Sequence, residues 1–126
     1  MSRSVLLQIA RDSIQEVLQA EVTIDRDSLI NLHPLLNEMI STTVNLYIKD
    51  KLRGSSDSKE PTLSLIDDII INAKKAAFQD TNFNPLSTSE YLECEIELLL
   101  NTPDGIISEK DPSILKTTTY KIENEL

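Results

Sequence analysis

The stretch Arg53-Gly54-Ser55 gathers more chemistry into fewer residues than any other part of the chain. A guanidinium stands beside a residue that lets backbone approach closely, and hydroxyls follow at Ser55, Ser56 and Ser58. Such a group can hold an anion. The plainer alternative is an arginine paired with a strand glutamate and a glycine at a β-bulge. Arg53, Gly54, Ser55 and Asp57 are the ligand-binding candidates. Glu93, Glu95 and Glu97 form a second row, with same-face carboxylates about 6–7 Å apart along one strand. Hard-metal sites collect ligands from several segments and no others are evident, so the row reads as a solvated face and no metal is expected. Cys94 shares its phase with Leu92 and Ile96 and reads as a core thiol with no base nearby. His33, just before Pro34, is the single histidine and reads as a loop residue. No Walker loop, dinucleotide fingerprint or paired Cys/His motif occurs. No catalytic residue and no cofactor are assigned.

These residues need elements to position them. Ser4–Ala20 reads as a helix with a stripe of Leu7, Ala10, Ile14, Val17 and Leu18, capped by Ser2 or Ser4. Arg11, Asp12, Gln15, Glu16 and Gln19 are placed mostly off that stripe. Glu21 to Pro34 is mixed, and Asp25-Arg26-Asp27-Ser28 reads as a loop or the cap of a short turn. Thr42–Ile48 alternates as a strand, Lys49-Asp50-Lys51 turns, and Leu52–Ser55 returns as a hairpin. Ser55 to Pro61 reads as a loop. Ser64–Gln79 reads as the second long helix, with Thr62 or Ser64 as its cap and with Asp67 and Asp68 at its positive end. Its apolar face carries Ile66, Ile69, Ile70, Ala73 and Ala77. Asp80 to Ser89 is a loop pinned by Phe83 and Leu86, and Leu92–Leu100 is the cleanest period-two strand. Thr117–Ile122 is a weaker β candidate. The fold class expected is α+β, an antiparallel sheet with two main helices packed on it.

The chain of 126 residues is one domain's length, and 40% apolar with 26% charged residues is a globular balance. A formal net charge of −9 argues against binding nucleic acid or an anionic membrane. One cysteine excludes a disulfide framework. The early apolar run is broken by Gln8, Arg11 and Asp12, so a signal peptide is not expected. No stretch reaches the about 20 apolar residues of a membrane span. A soluble, cytoplasmic protein is the expectation.

A family resemblance rests on several of these stretches. Leu65-Ile66-Asp67-Asp68-Ile69-Ile70-Ile71-Asn72-Ala73-Lys74-Lys75-Ala76-Ala77-Phe78-Gln79-Asp80 resembles a helix of the form P-L-x-E-D-V-x-x-N-A-x-x-A-A-F-x-D. Phe83-Asn84-Pro85-Leu86 and then Tyr91 through Pro103 resemble R-F-P-P-L followed by L-E-I-E-V-S-V-L-T-P. Leu52-Arg53-Gly54-Ser55 is similar to the start of L-R-G-C-I-G, and Leu6 to Ile14 to an opening L-L-x-L-A-R-x-x-I helix. The family is the AMMECR domain, called AmmeMemoRadiSam system protein A in prokaryotes. The resemblance covers roughly residues 5 to 104. It implies an α+β fold with an antiparallel sheet and flanking helices. The family's activity is unknown, and its genomic association with a Memo-like protein and a radical SAM protein is a property of the family.

Departures accompany the likeness. Ser55 stands where the family has cysteine and Asp57 where it has the second glycine. The family's later glycine-rich strand and its W-D and C-x-K-A-G-L helix are not matched, so residues 1–126 are expected to be a single, truncated AMMECR-like domain. Apolar surface left by that truncation is expected to be covered by a protein partner or by a second copy. Two functional readings follow. One is a non-catalytic interaction or accessory module. The other is an enzyme or small-ligand binder using the Arg53-Gly54-Ser55 turn, favoured if Arg53 and Ser55 converge with a carboxylate from a second segment in one concave pocket.

Overall fold

The computed structural model describes residues 3–115. Helix α1, Val5–Gln19, begins where the Ser4 hydroxyl accepts the Leu7 N–H at 3.2 Å and ends at Ala20 in the left-handed region. A short helix α2, Arg26–Leu32, is capped by Asp25, and a 3-10 turn follows over Pro34–Asn37. Strands β1, Ser41–Ile48, and β2, Lys51–Asp57, form a hairpin. Lys49 and Asp50 close it with φ of 51° and 66°, the doubly left-handed turn that matches strand twist. Helix α3 is Leu65–Phe78 and α4 is Thr88–Glu93. Strands β3, Glu95–Thr102, and β4, Gly105–Asp111, make the second hairpin. All four strands join one antiparallel sheet in the order β2-β1-β3-β4.

Helices α1 and α3 cover one face of this sheet. Val44, Leu46, Ile96, Leu98 and Leu100 point into that layer and are buried against it. Each such side chain contributes roughly 1.5–3 kcal/mol of burial. From α3 come Leu65, Ile66, Ile69, Ala73, Ala76 and Ala77; from α1 come Leu7, Ile9, Ala10 and Ile14. The run of alanines brings α3 very close to β2. A Cβ on Gly54 would run into the carbonyl oxygen of Ala76, so the glycine is there for close packing.

The expected α+β class holds, and three local expectations are corrected. Val17 is 46% exposed, while Arg11 lies on the buried side of α1. Asp68 stands in the first turn of α3 as expected and is also buried: its carboxylate accepts from Thr42 N (2.7 Å), Thr42 Oγ1 (2.6 Å) and Ser58 Oγ (2.7 Å), which fastens α3 to β1. Leu92 and Glu93 are helical, because Ser87 and Glu90 form a reciprocal capping box that starts α4. The β3 strand therefore begins at Glu95, and Glu93 does not share its row. The return strand expected over Leu52–Ser55 runs on through Ser56 and Asp57, which belong to β2 rather than to a loop. Strand β4 lay outside the sequence reading, although Asp104-Gly105 before two isoleucines is a hairpin signal. Ser2 and the Thr117–Ile122 candidate lie outside the described residues.

Candidate functional site

Arg53 is the extra residue of a bulge in β2. Leu46 pairs with Gly54 and Tyr47 with Leu52, which leaves Arg53 without a partner on β1. The bulge turns its side chain toward α4. Nε donates to Glu90 Oε2 at 2.8 Å, and Nη2 donates to Glu90 Oε1 at 3.1 Å and to the Asn84 carbonyl at 2.7 Å. The guanidinium carbon stands 5.4 Å from the centre of the Phe83 ring. Nη1 is buried with no hydrogen-bond partner. Glu90 is held ionised by this contact: the Arg53 hydrogen bond, then the Ser87 N–H, bring its carboxyl down to about 2. The glutamate that pairs with Arg53 thus comes from a helix, not from the expected strand.

The other candidates serve neighbouring elements. The Ser55 hydroxyl donates to Asn45 Oδ1 at 2.6 Å, and its N–H donates to Asp80 Oδ2 at 3.0 Å. Asp80 also accepts from Asn82 N, and that bond leads the causes that lower its carboxyl. Gly54 lies beneath α3. Asp57 is exposed at the end of β2. A shallow concavity of about 410 Å³ lies beside Arg53, lined by Thr81, Asn82, Phe83, Asn84 and Glu90. Neither Ser55 nor Asp57 lines it, so the convergence that would favour a reactive pocket does not form.

The outer sheet face carries a second polar network. Asn45 Nδ2 and the Tyr47 hydroxyl both donate to Glu97 Oε1, at 2.9 and 3.2 Å. Burial, then the Glu97 charge, pushes the Tyr47 hydroxyl up. Among the described residues no three His, Cys, Asp or Glu side chains gather as a metal site would require. His33 is exposed at the end of α2.

The most demanding electrostatic group is one that sequence reasoning misplaced. Arg11, 1% exposed, donates from Nε to Asp111 Oδ2 and from Nη2 to the carbonyls of Cys94 (2.8 Å) and Pro112 (3.0 Å). Asp111 is shared with Arg3 at 3.0 Å. The Tyr91 ring lies 5.3 Å from the guanidinium. Cys94 Sγ is 3.7 Å from Arg11 Nη1, yet burial dominates and pushes the thiol up, away from a reactive thiolate. The signal was present: Arg11 falls four residues after Leu7 and three before Ile14, on the buried stripe.

The comparisons with known proteins agree with this architecture. A family model, AMMECR1, matches residues 7–119. Protein LS215_2104 of Saccharolobus islandicus strain L.S.2.15 is 34% identical over 120 residues, which cover 88% of this chain and 51% of that protein. Protein M1425_1941 of strain M.14.25 matches to the same extent. The chain spans about half the length of the curated relatives it matches. The crystal structure of an uncharacterized protein, PH0010 from Pyrococcus horikoshii, superposes with a TM-score of 0.68 at 27% identity, over 78% of this chain and 50% of that one.

Proposed function

We infer, from the fact that this chain belongs to the AMMECR1 family and from what occupies its Arg53 turn, that it is a non-catalytic interaction or accessory module. The observation that carries this reading is the engagement of Arg53. Its guanidinium already holds a carboxylate in two bonds and a backbone carbonyl in a third. A resident carboxylate competes with any incoming anion, and a fork that binds Glu90 braces α4 and the 83–84 loop against β2. We place the module as one AMMECR-like domain over residues 1–126, cytoplasmic and acting through protein contacts. No helix among the described residues is long and apolar enough to cross a membrane, and the charge of −9 disfavours phosphate backbones.

One observation favours the alternative, a small-ligand site at the turn: Nη1 of Arg53 lacks a partner beside an open concavity. A thermal-shift screen of metabolites and metal ions on wild type, Arg53→Lys and Arg53→Ala separates the two readings. The interaction reading expects no compound to act through Arg53. A compound that raises the Tm of wild type by several degrees and leaves both variants unmoved overturns it.

A further inference from the structure

Among the described residues, β2 and β4 are the outer strands of the sheet, and their edges are treated differently. On β2 the Asp80 carboxylate takes the Ser55 N–H, and the Arg53–Glu90–Asn84 contacts hold the 80–90 segment beside the strand. On β4, among the described residues, the only side-chain bond to the backbone is the Thr102 hydroxyl on the Gly105 carbonyl, inside the hairpin itself. An antiparallel edge strand turns alternate N–H and C=O groups outward. Ile106 and Ile107 are 68% and 54% exposed on this strand. By register Ile107 stands on the helix-covered side next to Leu100, and Ile106 on the outer side next to Asn101. The edge therefore offers apolar contact on both faces of the sheet. Glu109 and Lys110 blunt its far half, which leaves residues 105–108 as the accessible stretch.

We propose that the β4 edge accepts an extended, basic segment of another protein as a fifth strand, beginning beside residues 105–108. The proposal rests on the interaction reading above and adds its surface and the partner's chemistry. Charge selects the occupant. The β3–β4 ribbon carries Glu95, Glu97, Asp104, Glu109 and Asp111 against a single Lys110, and only Asp111 is held by arginines. Lys110 lies 3.8 Å from Glu97, one ammonium among these acids. A second copy would bring another chain of charge −9 against the same ribbon, a repulsive encounter. A strand that alternates apolar and Lys or Arg residues sets apolar side chains against Ile106 or Ile107 and cations near the carboxylates. Main-chain bonds supply affinity and the side chains supply choice.

The test uses the whole chain and three synthetic nine-residue peptides: alternating Val/Lys, alternating Val/Glu, and a helix-forming Ala/Lys peptide of matched charge. Fluorescence anisotropy reads affinity, and amide hydrogen exchange by NMR reads position. Expected is binding of the Val/Lys peptide alone, with slowed exchange at alternate amides within 105–110. Expected too is a loss of at least tenfold in affinity in Ile107→Lys, whose melting is unchanged because Ile107 is exposed. Slow exchange of every β4 amide in the free chain means the edge is already closed and overturns the proposal. So does a footprint away from β4, equal binding of the Ala/Lys peptide, or a concentration-dependent dimer that protects β4 without peptide. An Arg53-dependent small-molecule stabiliser refutes the interaction reading but leaves β4 exchange untouched, so the two failures are distinguishable.

Discussion

The two edges of this sheet show opposite uses of charge. At the β2 edge the charged side chains turn inward to the fold: Arg53 clasps Glu90 and Asn84, and Asp80 caps a strand N–H. At the β4 edge, among the described residues, charged side chains pin the strand into the fold at its far end, where Asp111 enters the interior to meet Arg3 and Arg11. Its near end carries two exposed isoleucines and a hairpin closed by one hydroxyl. An arginine-glycine-serine turn can therefore be edge carpentry. An unremarked pair of isoleucines can be the more accessible surface.

The comparison breaks most severely at the β4 anchor. Asp111→Ala leaves Arg11 buried with carbonyl acceptors but no counter-charge. Removing one partner of a buried pair costs about 3–5 kcal/mol. Urea denaturation is expected to give a loss in that range, with faster amide exchange along β4. A loss under about 1 kcal/mol would mean that β4 is held by its ladder to β3 alone.

The next effect belongs to the β2 edge. Gly54→Ala sets a methyl group against the Ala76 carbonyl, an obstacle made of helix backbone rather than a movable side chain. Overpacking of this kind costs about 1–3 kcal/mol. Chemical denaturation with unchanged stability would contradict the close approach of α3 to β2, and with it the packing role given to this glycine.

Much of the scaffold was legible because period and capping are local. The two long helices and the β1–β2 hairpin follow from apolar spacing, Ser4 and the Lys49-Asp50 turn. The α4 helix was hidden because alternation from Leu92 outweighed the Ser87-to-Glu90 capping box five residues earlier. The candidate site was legible by residue type but not by role. A bulge at this stretch is one of the two readings, but that reading places it at Gly54, whereas the residue without a strand partner is Arg53. That its carboxylate comes from residue 90 depends on how α4 folds back, which no spacing records. Arg11 and Asp111 lie 100 residues apart in sequence, and their pairing exists only once β4 has joined the sheet.

The smallest effect is set by pH at the β2 edge. Glu90 is depressed from an ordinary 4.5 to about 2, chiefly by its Arg53 bonds. A carboxyl lowered in the folded state adds stability above its unfolded pKa. That contribution fades as pH falls from about 4.5 toward 2. The Glu90 side chain is 35% exposed, so solvent screening reduces the contribution to roughly 1 kcal/mol. Glu90→Gln is therefore expected to be about 1 kcal/mol less stable than wild type at pH 7, with the gap closing as pH approaches 2. Denaturation midpoints of both proteins between pH 7 and pH 2 measure it. A gap that persists unchanged to low pH would mean that the loss does not come from the Arg53–Glu90 charge pair, since a glutamine oxygen can still accept the Ser87 capping bonds. The Arg53–Glu90 contact would then position α4 without adding measurable charge stabilisation.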